Sequence, residues 1–228
     1  MKKIALLILV ILFTAVYTVH AQKAFVGEIT FEMKLEGTDD PNLLSNMENI
    51  VSTVSILGNK SKSVIKPNEM VEVTQIWDGD KGTASIVYEI TGMGKYYKKW
   101  DAEQHKEKIK FSDFSFNYEN EFKDILGYKC QKVVVTTTNL EDDSQTETIL
   151  YVTKEIGTSK LNGEDFPGLE GFPLFSSQPM LHICEECTLV FKAIKIAPKK
   201  IKDVDFLLPS DAKNIDDDPE LKQMFGME

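Results

Sequence analysis

Most apolar segments of the chain alternate with period two, turn residues separate them, and helices and strands do not alternate in any regular way. Together these observations predict a mainly β (α+β) protein: a curved antiparallel sheet or half-barrel of seven or more strands, wrapped over a short helix and a Phe/Pro-rich loop. A parallel α/β fold is disfavoured because it needs a helical crossover between strands.

The chain opens MKKIALLILVILFTAVYTVHAQKA, in which Lys2 and Lys3 precede an apolar run from Ile4 to Val16, and Val19 and Ala21 are small. That order is the signature of a secretory signal peptide, so residues 1–21 are expected to be a leader. The run is shorter than the roughly 20 residues a membrane-spanning helix needs, and no later run approaches that length. No cysteine stands at the cleavage point to carry a lipid. We therefore expect an exported protein of the bacterial periplasm, or a secreted one, that is not an integral membrane protein. Residues 22–215 should form one domain and residues 216–228 a flexible acidic tail.

The first segment after the leader, FVGEITFEMKLEG, places Phe25, Gly27, Ile29, Phe31, Met33 and Leu35 on one face and Glu28, Thr30, Glu32, Lys34 and Glu36 on the other. This is a strand with one wet side. TDDPN then breaks the chain, and Leu43, Leu44, Met47, Ile50 and Val51 follow at helical spacing behind Asp40 and Pro41, a cap and first helical position. TVSIL and SKSVIK form a hairpin around Gly58 and Asn59, and MVEVTQIW and TASIVYEI form a second around DGDKG. GKYYKKW adds a strand, and DAEQHKEK has the look of an exposed turn carrying His105. DILGYKCQKVVVTTT and TETILYVTK make a further hairpin across NLEDDSQ. From Ile156 to Pro179 the chain is rich in Gly, Pro and Ser yet carries Phe166, Leu169, Phe172, Leu174 and Phe175, which marks an ordered loop packed on the sheet rather than a linker. Strand character returns between Met180 and Ile196, and FLLPSDAKNI is a last edge segment ended by Pro209.

Charge excludes some functions. Twenty-six basic residues, all lysine, stand against 36 acidic ones for a net charge of −10, and losing Lys2 and Lys3 with the leader makes the chain more acidic still. Such a surface repels nucleic acid. It also argues that the aromatic and basic mixture Tyr96, Tyr97, Trp100, Lys95, Lys98 and Lys99 is a strand with a charged edge rather than a stacking platform for single strands. DGDKG begins like a calcium loop, but Gly82 and Thr83 occupy its fifth and sixth places, so a hairpin turn accounts for it. No G-x-S-x-G elbow, H-E-x-x-H pair or phosphate-cradling glycine loop occurs, so no catalytic residue, cofactor or metal is expected.

The most chemically suggestive stretch is HICEEC, His182 to Cys187. Together with Cys130 it offers enough ligands for zinc, but it lacks a second closely spaced pair. A redox pair needs a helix start, and TLVFKAIKI is strand-like. A tight bend at Glu185 and Glu186 would instead bring the two cysteines within bonding reach. Cys130, Cys184 and Cys187 are thus disulfide candidates, with the pairings 184 to 187, 130 to 184 and 130 to 187 all open.

ILGNKSKSVI, QIWDGDKG, GKYYKKW, FKDILGYKCQKVVV, LYVTKEIG, FPGLEGFPL and DVDFLLPSDAKNI follow the order of a domain-of-unknown-function family found in exported bacterial envelope proteins. The resemblance covers about Phe25 to Ile215, and ILGYKC, Ile125 to Cys130, is its most specific piece. That family is similar in fold to the LolA-type lipoprotein carriers, in which a curved sheet closes over helices around an apolar concavity. The likeness implies a binding protein that shelters an apolar ligand such as an acyl chain. This chain departs from the carriers in having no arginine. The residues expected to face the ligand are Phe31, Met33, Ile76, Val87, Tyr128 and Val135 on the sheet and Phe166, Phe172 and Phe175 in the loop. The alternative is an envelope-associated structural or interaction protein with a solid core, whose partner would be another envelope protein. A third reading, a redox enzyme, would rest on Cys184 and Cys187.

Overall fold

The structure, a computed structural model, describes residues 25–47, 50–109, 112–140, 143–163, 165–181 and 183–226. The expected leader and His182 lie outside the described residues. One sheet dominates, built from β1 (Val26–Glu36), β2 (Val51–Leu57), β3 (Lys60–Asn68), β4 (Val71–Asp78), β5 (Thr83–Ile90), β6 (Gly94–Trp100), β7 (Ser112–Ile125), β8 (Tyr128–Asn139), β9 (Gln145–Thr153), β10 (Phe172–Pro179), β11 (Thr188–Pro198) and β12 (Lys213–Asn214). Three short helices accompany it: α1 (Pro41–Met47), α2 (Ala102–Ile109) and α3 (Pro219–Met224). The strand order is β12-β6-β5-β4-β3-β2-β1-β11-β10-β9-β8-β7. Two meanders run outward from a central β1–β11 pair, every contact antiparallel except the short parallel one of β12 on β6. The mainly antiparallel fold class expected from sequence is the one observed.

The sheet curls into a trough. Ser63 and Gln75 on β3 and β4 line the same cleft as Phe114 and Thr137 on β7 and β8, although those strands stand at opposite ends of the order. Register says which residues face inward, because side chains directly opposite on paired strands share a face. Ile29, Val54, Ser63, Gln75, Ile86 and Lys98 form one inward row across six strands. The alternate row, Glu28, Ser55, Lys62, Ile76, Ser85 and Lys99, faces outward.

Three segments fill the trough or close its end. α2 lies against β4 and β5, with His105 packed on Trp77 at 4.8 Å between ring centroids. The chain from Glu155 to Gly171 enters the trough, where Leu169 and Phe166 join Val133, Val135, Leu150 and Val152 in an apolar cluster. At the β6 end, Phe225 stacks on Tyr88 at 4.8 Å and tilts against Tyr96 at 5.8 Å.

Several local expectations change. DAEQHKEK is helix α2, not an exposed turn: Asp101 accepts from Glu103 N at 3.0 Å and Gln104 N at 2.9 Å while Gln104 bonds back to Asp101 N at 3.0 Å, which makes a capping box. His105 is consequently buried. β7 adds a strand to those expected, with Phe114, Phe116 and Tyr118 on its inner face opposite Thr137, Val135 and Val133. Within the Phe/Pro-rich segment, residues 172–179 form β10, where Pro173 is tolerated because it sits at a break in register with β9. The last residues, expected to be a flexible tail, make a 3-10 turn and α3, capped by Asp218 with Pro219 behind it. FLLPSDAKNI supplies only the two residues of β12 to an edge; its first half belongs to a strap that crosses the outer face.

The cysteine question resolves locally. Cys184 and Cys187 are disulfide-bonded, their Cα atoms 5.1 Å apart, across the turn that joins β10 to β11. Met180 N reaches Cys187 O at 2.7 Å at the base of this turn. Gly37, at φ 81°, passes so close that an added Cβ would lie 1.9 Å from Glu186 O, so the stapled turn also seats the end of β1. Cys130 is a free, fully buried thiol. Burial, with help from Asp124 and Glu155, pushes its pKa from 9.0 to about 11.

Two outcomes follow from this arrangement. Thiol titration should find no fast-reacting cysteine in the native protein, one after unfolding without reductant, and three after unfolding with it. Replacing both Cys184 and Cys187 by serine should cost about 2 kcal/mol in urea unfolding, the chain-entropy value for so short a loop.

Candidate binding cleft

Between the filled ends, the middle of the trough stays open as a cleft of about 530 Å³. That lies within the roughly 300–1,000 Å³ typical of small-molecule sites. Its apolar surface comes from Phe31 on β1, Phe172 on β10, Phe191 on β11, Phe114 on β7, and Leu161 and Phe166 from the inserted segment. Its polar surface comes from Ser52, Ser61, Ser63 and Gln75 on β2 to β4 and from Thr137, Thr148, Ser176 and Gln178 across the trough. Phe31 and Phe172 pack at 6.5 Å between centroids. The hydroxyls of Ser52 and Ser63 are 3.1 Å apart.

Side-chain hydrogen bonds hold the inserted segment. Trp77 Nε1 donates to Lys160 O at 2.7 Å. His105 Nε2 bonds to Gly163 O at 3.1 Å, and since a carbonyl only accepts, Nε2 carries the hydrogen. Nδ1 of the same ring is buried without a partner among the described residues. Asn162, buried beneath the cleft, donates through one amide nitrogen to the carbonyls of Leu169 (3.0 Å) and Gly171. The backbone approaches are close: a Cβ on Gly163 would meet the Trp77 ring at 2.6 Å, and one on Gly79 would lie 2.1 Å from Lys160 O.

DGDKG thus serves as more than a hairpin turn. Asp80 accepts from Asn59 at 2.9 Å and from Lys160 Nζ at 3.0 Å, while Thr158 donates to Asn59 at 2.7 Å. The bonds from Asn59 and then Lys160 hold the Asp80 carboxyl below the usual carboxylate range.

Of the residues expected from sequence to face a ligand, Phe31, Phe166 and Phe172 come together in the cleft, whereas Phe175, opposite Lys192 and Tyr151 in register and with the Lys123 ammonium over its ring, turns to the other face and only borders the cleft. Met33 and Val135 share the inner face but are covered, Val135 completely. Tyr128 packs at the cluster that holds Cys130, Ile125 and Tyr151, away from the cleft. Ile76 and Val87 point to the opposite, outer face, because Ile76 is in register with Lys62 and Ser85, and Val87 with Thr74. Alternation within one strand defines two faces but does not say which one a neighbouring strand will share. The lining residues missing from the expectation are mostly hydroxyl-bearing. Their signal was present: in KSKSVIK the lysines at 60, 62 and 66 mark the outer face, which leaves Ser61, Ser63 and Ile65 inward.

A larger groove of about 690 Å³ runs along the outer face, lined by Lys62, Lys66, Lys199 and Lys200 beside Glu28 and Asp205. It contains no aromatic side chain, and two of its lysines are engaged, Lys66 with Glu72 at 2.8 Å and Lys199 with Glu28. The inner cleft, with apolar walls and convergent polar groups, is the better candidate for a ligand.

No protein-family model and no curated protein matches the chain. Among solved structures it is similar to PNGF-II in two crystal forms: in space group C2 with a TM-score of 0.53 at 14% identity, and in P21 with 0.50 at 16%. Each match covers 84% of this chain but only 31% and 32% of the PNGF-II chain, so this protein spans about a third of the length of the structures it matches. At such identity the likeness is one of fold alone.

Asn162→Ala should lower stability by roughly 2–3 kcal/mol, the cost of stranding two buried carbonyls, as read by urea unfolding. The Asp80 anchor carries its own pH sign. A carboxyl with a lowered folded pKa contributes above its unfolded value and loses that contribution as pH falls through the folded one. Limited proteolysis within residues 155–171 should accordingly accelerate below the ordinary carboxylate range, and Asp80→Asn should weaken this dependence.

Proposed function

We propose that this chain is a binding domain of the bacterial envelope, exported by its leader, whose trough shelters a ligand with an apolar chain. The observation that carries the reading is the phenylalanine-walled cleft of about 530 Å³ at the centre of the sheet, left between two ends that the chain's own segments fill. Burying apolar ligand surface there is favourable by about 25 cal/mol per Å² before the entropic costs of association. The side chains that converge on the cleft are aromatic, hydroxyl and amide groups with the one carboxylate of Asp165, which suit binding and orientation. The Cys184–Cys187 bond suits an oxidising compartment. The role that the resemblance implies, holding an acyl chain inside a half-barrel, is consistent with this reading.

The test is displacement fluorescence with N-phenylnaphthylamine, an apolar reporter that brightens in a dry site. Wild-type protein should enhance its emission saturably. Gln75→Trp and Ser63→Trp, which fill the cleft from its more open wall, should abolish that enhancement while thermal unfolding stays near wild type. Equal enhancement by the filled variants would rule the cleft out as the site.

A further inference from the structure

The cleft carries a second pattern, in charge. The chain holds 26 lysines, yet among the described residues none lines the cleft, and the one ionisable side chain described there is Asp165, which already has an interaction of its own. This follows from register. On β3, Lys60, Lys62 and Lys66 alternate outward from Ser61, Ser63 and Ile65, and on β11 Lys192 alternates outward from Phe191 and Ala193. Every lysine that could have reached a ligand from those strands is turned away.

We propose that the ligand is an uncharged amphiphile, with a hydroxyl- or amide-bearing head against the β2–β4 wall and its apolar chain against the phenylalanines. This inference rests on the binding reading above and names the class of ligand for that cleft. The head would meet Ser52, Ser61, Ser63 and Gln75. Ser52 and Ser63 satisfy one another through a single contact of 3.1 Å, which leaves one of the two hydroxyl hydrogens and further lone pairs to serve a ligand. Gln75 is exposed at the rim and brings two donors and one acceptor. A carboxylate or phosphate entering the same space would give up hydration with no cation to offset the loss, and would face Asp165. A neutral polyol or amide head exchanges water for these hydroxyls at little cost.

Titration calorimetry with monolauroylglycerol, laurate and dodecylphosphate at mildly alkaline pH tests the assignment. Monolauroylglycerol should bind about tenfold or more tightly than either anion, a gap of roughly 1.4 kcal/mol. Ser52→Ala with Ser63→Ala should weaken monolauroylglycerol several-fold more than it weakens N-phenylnaphthylamine, a split that a general loss of fold would not give. Gln75→Lys, at an exposed position, should raise laurate affinity toward that of the neutral lipid. If laurate or dodecylphosphate binds wild type as tightly as monolauroylglycerol, the charge assignment is wrong and the binding reading stands. If none of the three binds and N-phenylnaphthylamine is not enhanced, both fall.

Discussion

The bond from the Trp77 indole to the carbonyl of Lys160 ties the inserted segment to the inner wall of the trough. A sheet that curls presents an apolar inner face too concave to be covered by packing on a second sheet, so the chain must send part of itself inside. Residues 155–171 do this, and a segment entering such an interior brings backbone polar groups that need partners. Trp77, His105 and Asn162 provide them from three directions, while Asp80 and Asn59 fasten the segment's start at the trough wall. The glycines at 79 and 163 are required by the same contact, since a side chain at either would collide with Lys160 O or the Trp77 ring.

That constraint decides where a ligand can sit. The inserted segment covers β8 and β9, α2 covers β4 and β5, and the C-terminal Phe225 covers β5 and β6. What remains uncovered is the band from β1 to β4 and β10 to β11, faced across the trough by Phe114, Thr137 and Thr148 of β7 to β9, and there the lining is aromatic and hydroxylated. A domain of this size could have filled the band with larger side chains; serines at 52, 61, 63 and 176 leave it hollow. Cavities lined this way lose contact energy in the empty state, which a ligand of matching polarity restores.

The cysteines, by contrast, serve architecture. Cys184–Cys187 closes the β10–β11 connection at the end of the trough, where the glycine-mediated approach of Gly37 registers β1 against that turn. Cys130 is sealed in the cluster with Tyr151 and Ile125, its thiol kept protonated by burial. Neither Cys184 nor Cys187, from the stretch with the most suggestive residue types, is among the residues that line the cleft.

The sequence by itself determined the class of fold, because period-two alternation, capping residues and turn glycines act over a few residues: β1, the two early hairpins, the start of α1 and the bend at Glu185 and Glu186 could be read from neighbours in the chain, whereas the helix expected to run to about Ser52 gives way to β2 at Val51. It also determined that phenylalanines at 31, 166 and 172 belong inside, since apolar residues on the apolar face of a strand or within a Gly/Pro-rich segment have to be covered, whereas register turned Phe175 toward Lys192 and Tyr151. Tertiary structure alone decided the rest. Whether Ile76 and Val87 point with Phe31 or against it depends on register between strands, and one step of register exchanges every side chain on a strand between the two faces. Whether His105 is exposed depends on Trp77, and whether the last residues are ordered depends on Tyr88 and Tyr96, partners more than a hundred residues away from Phe225. The cleft itself is of this kind: its walls come from strands at opposite ends of the sheet, and only curvature brings them together.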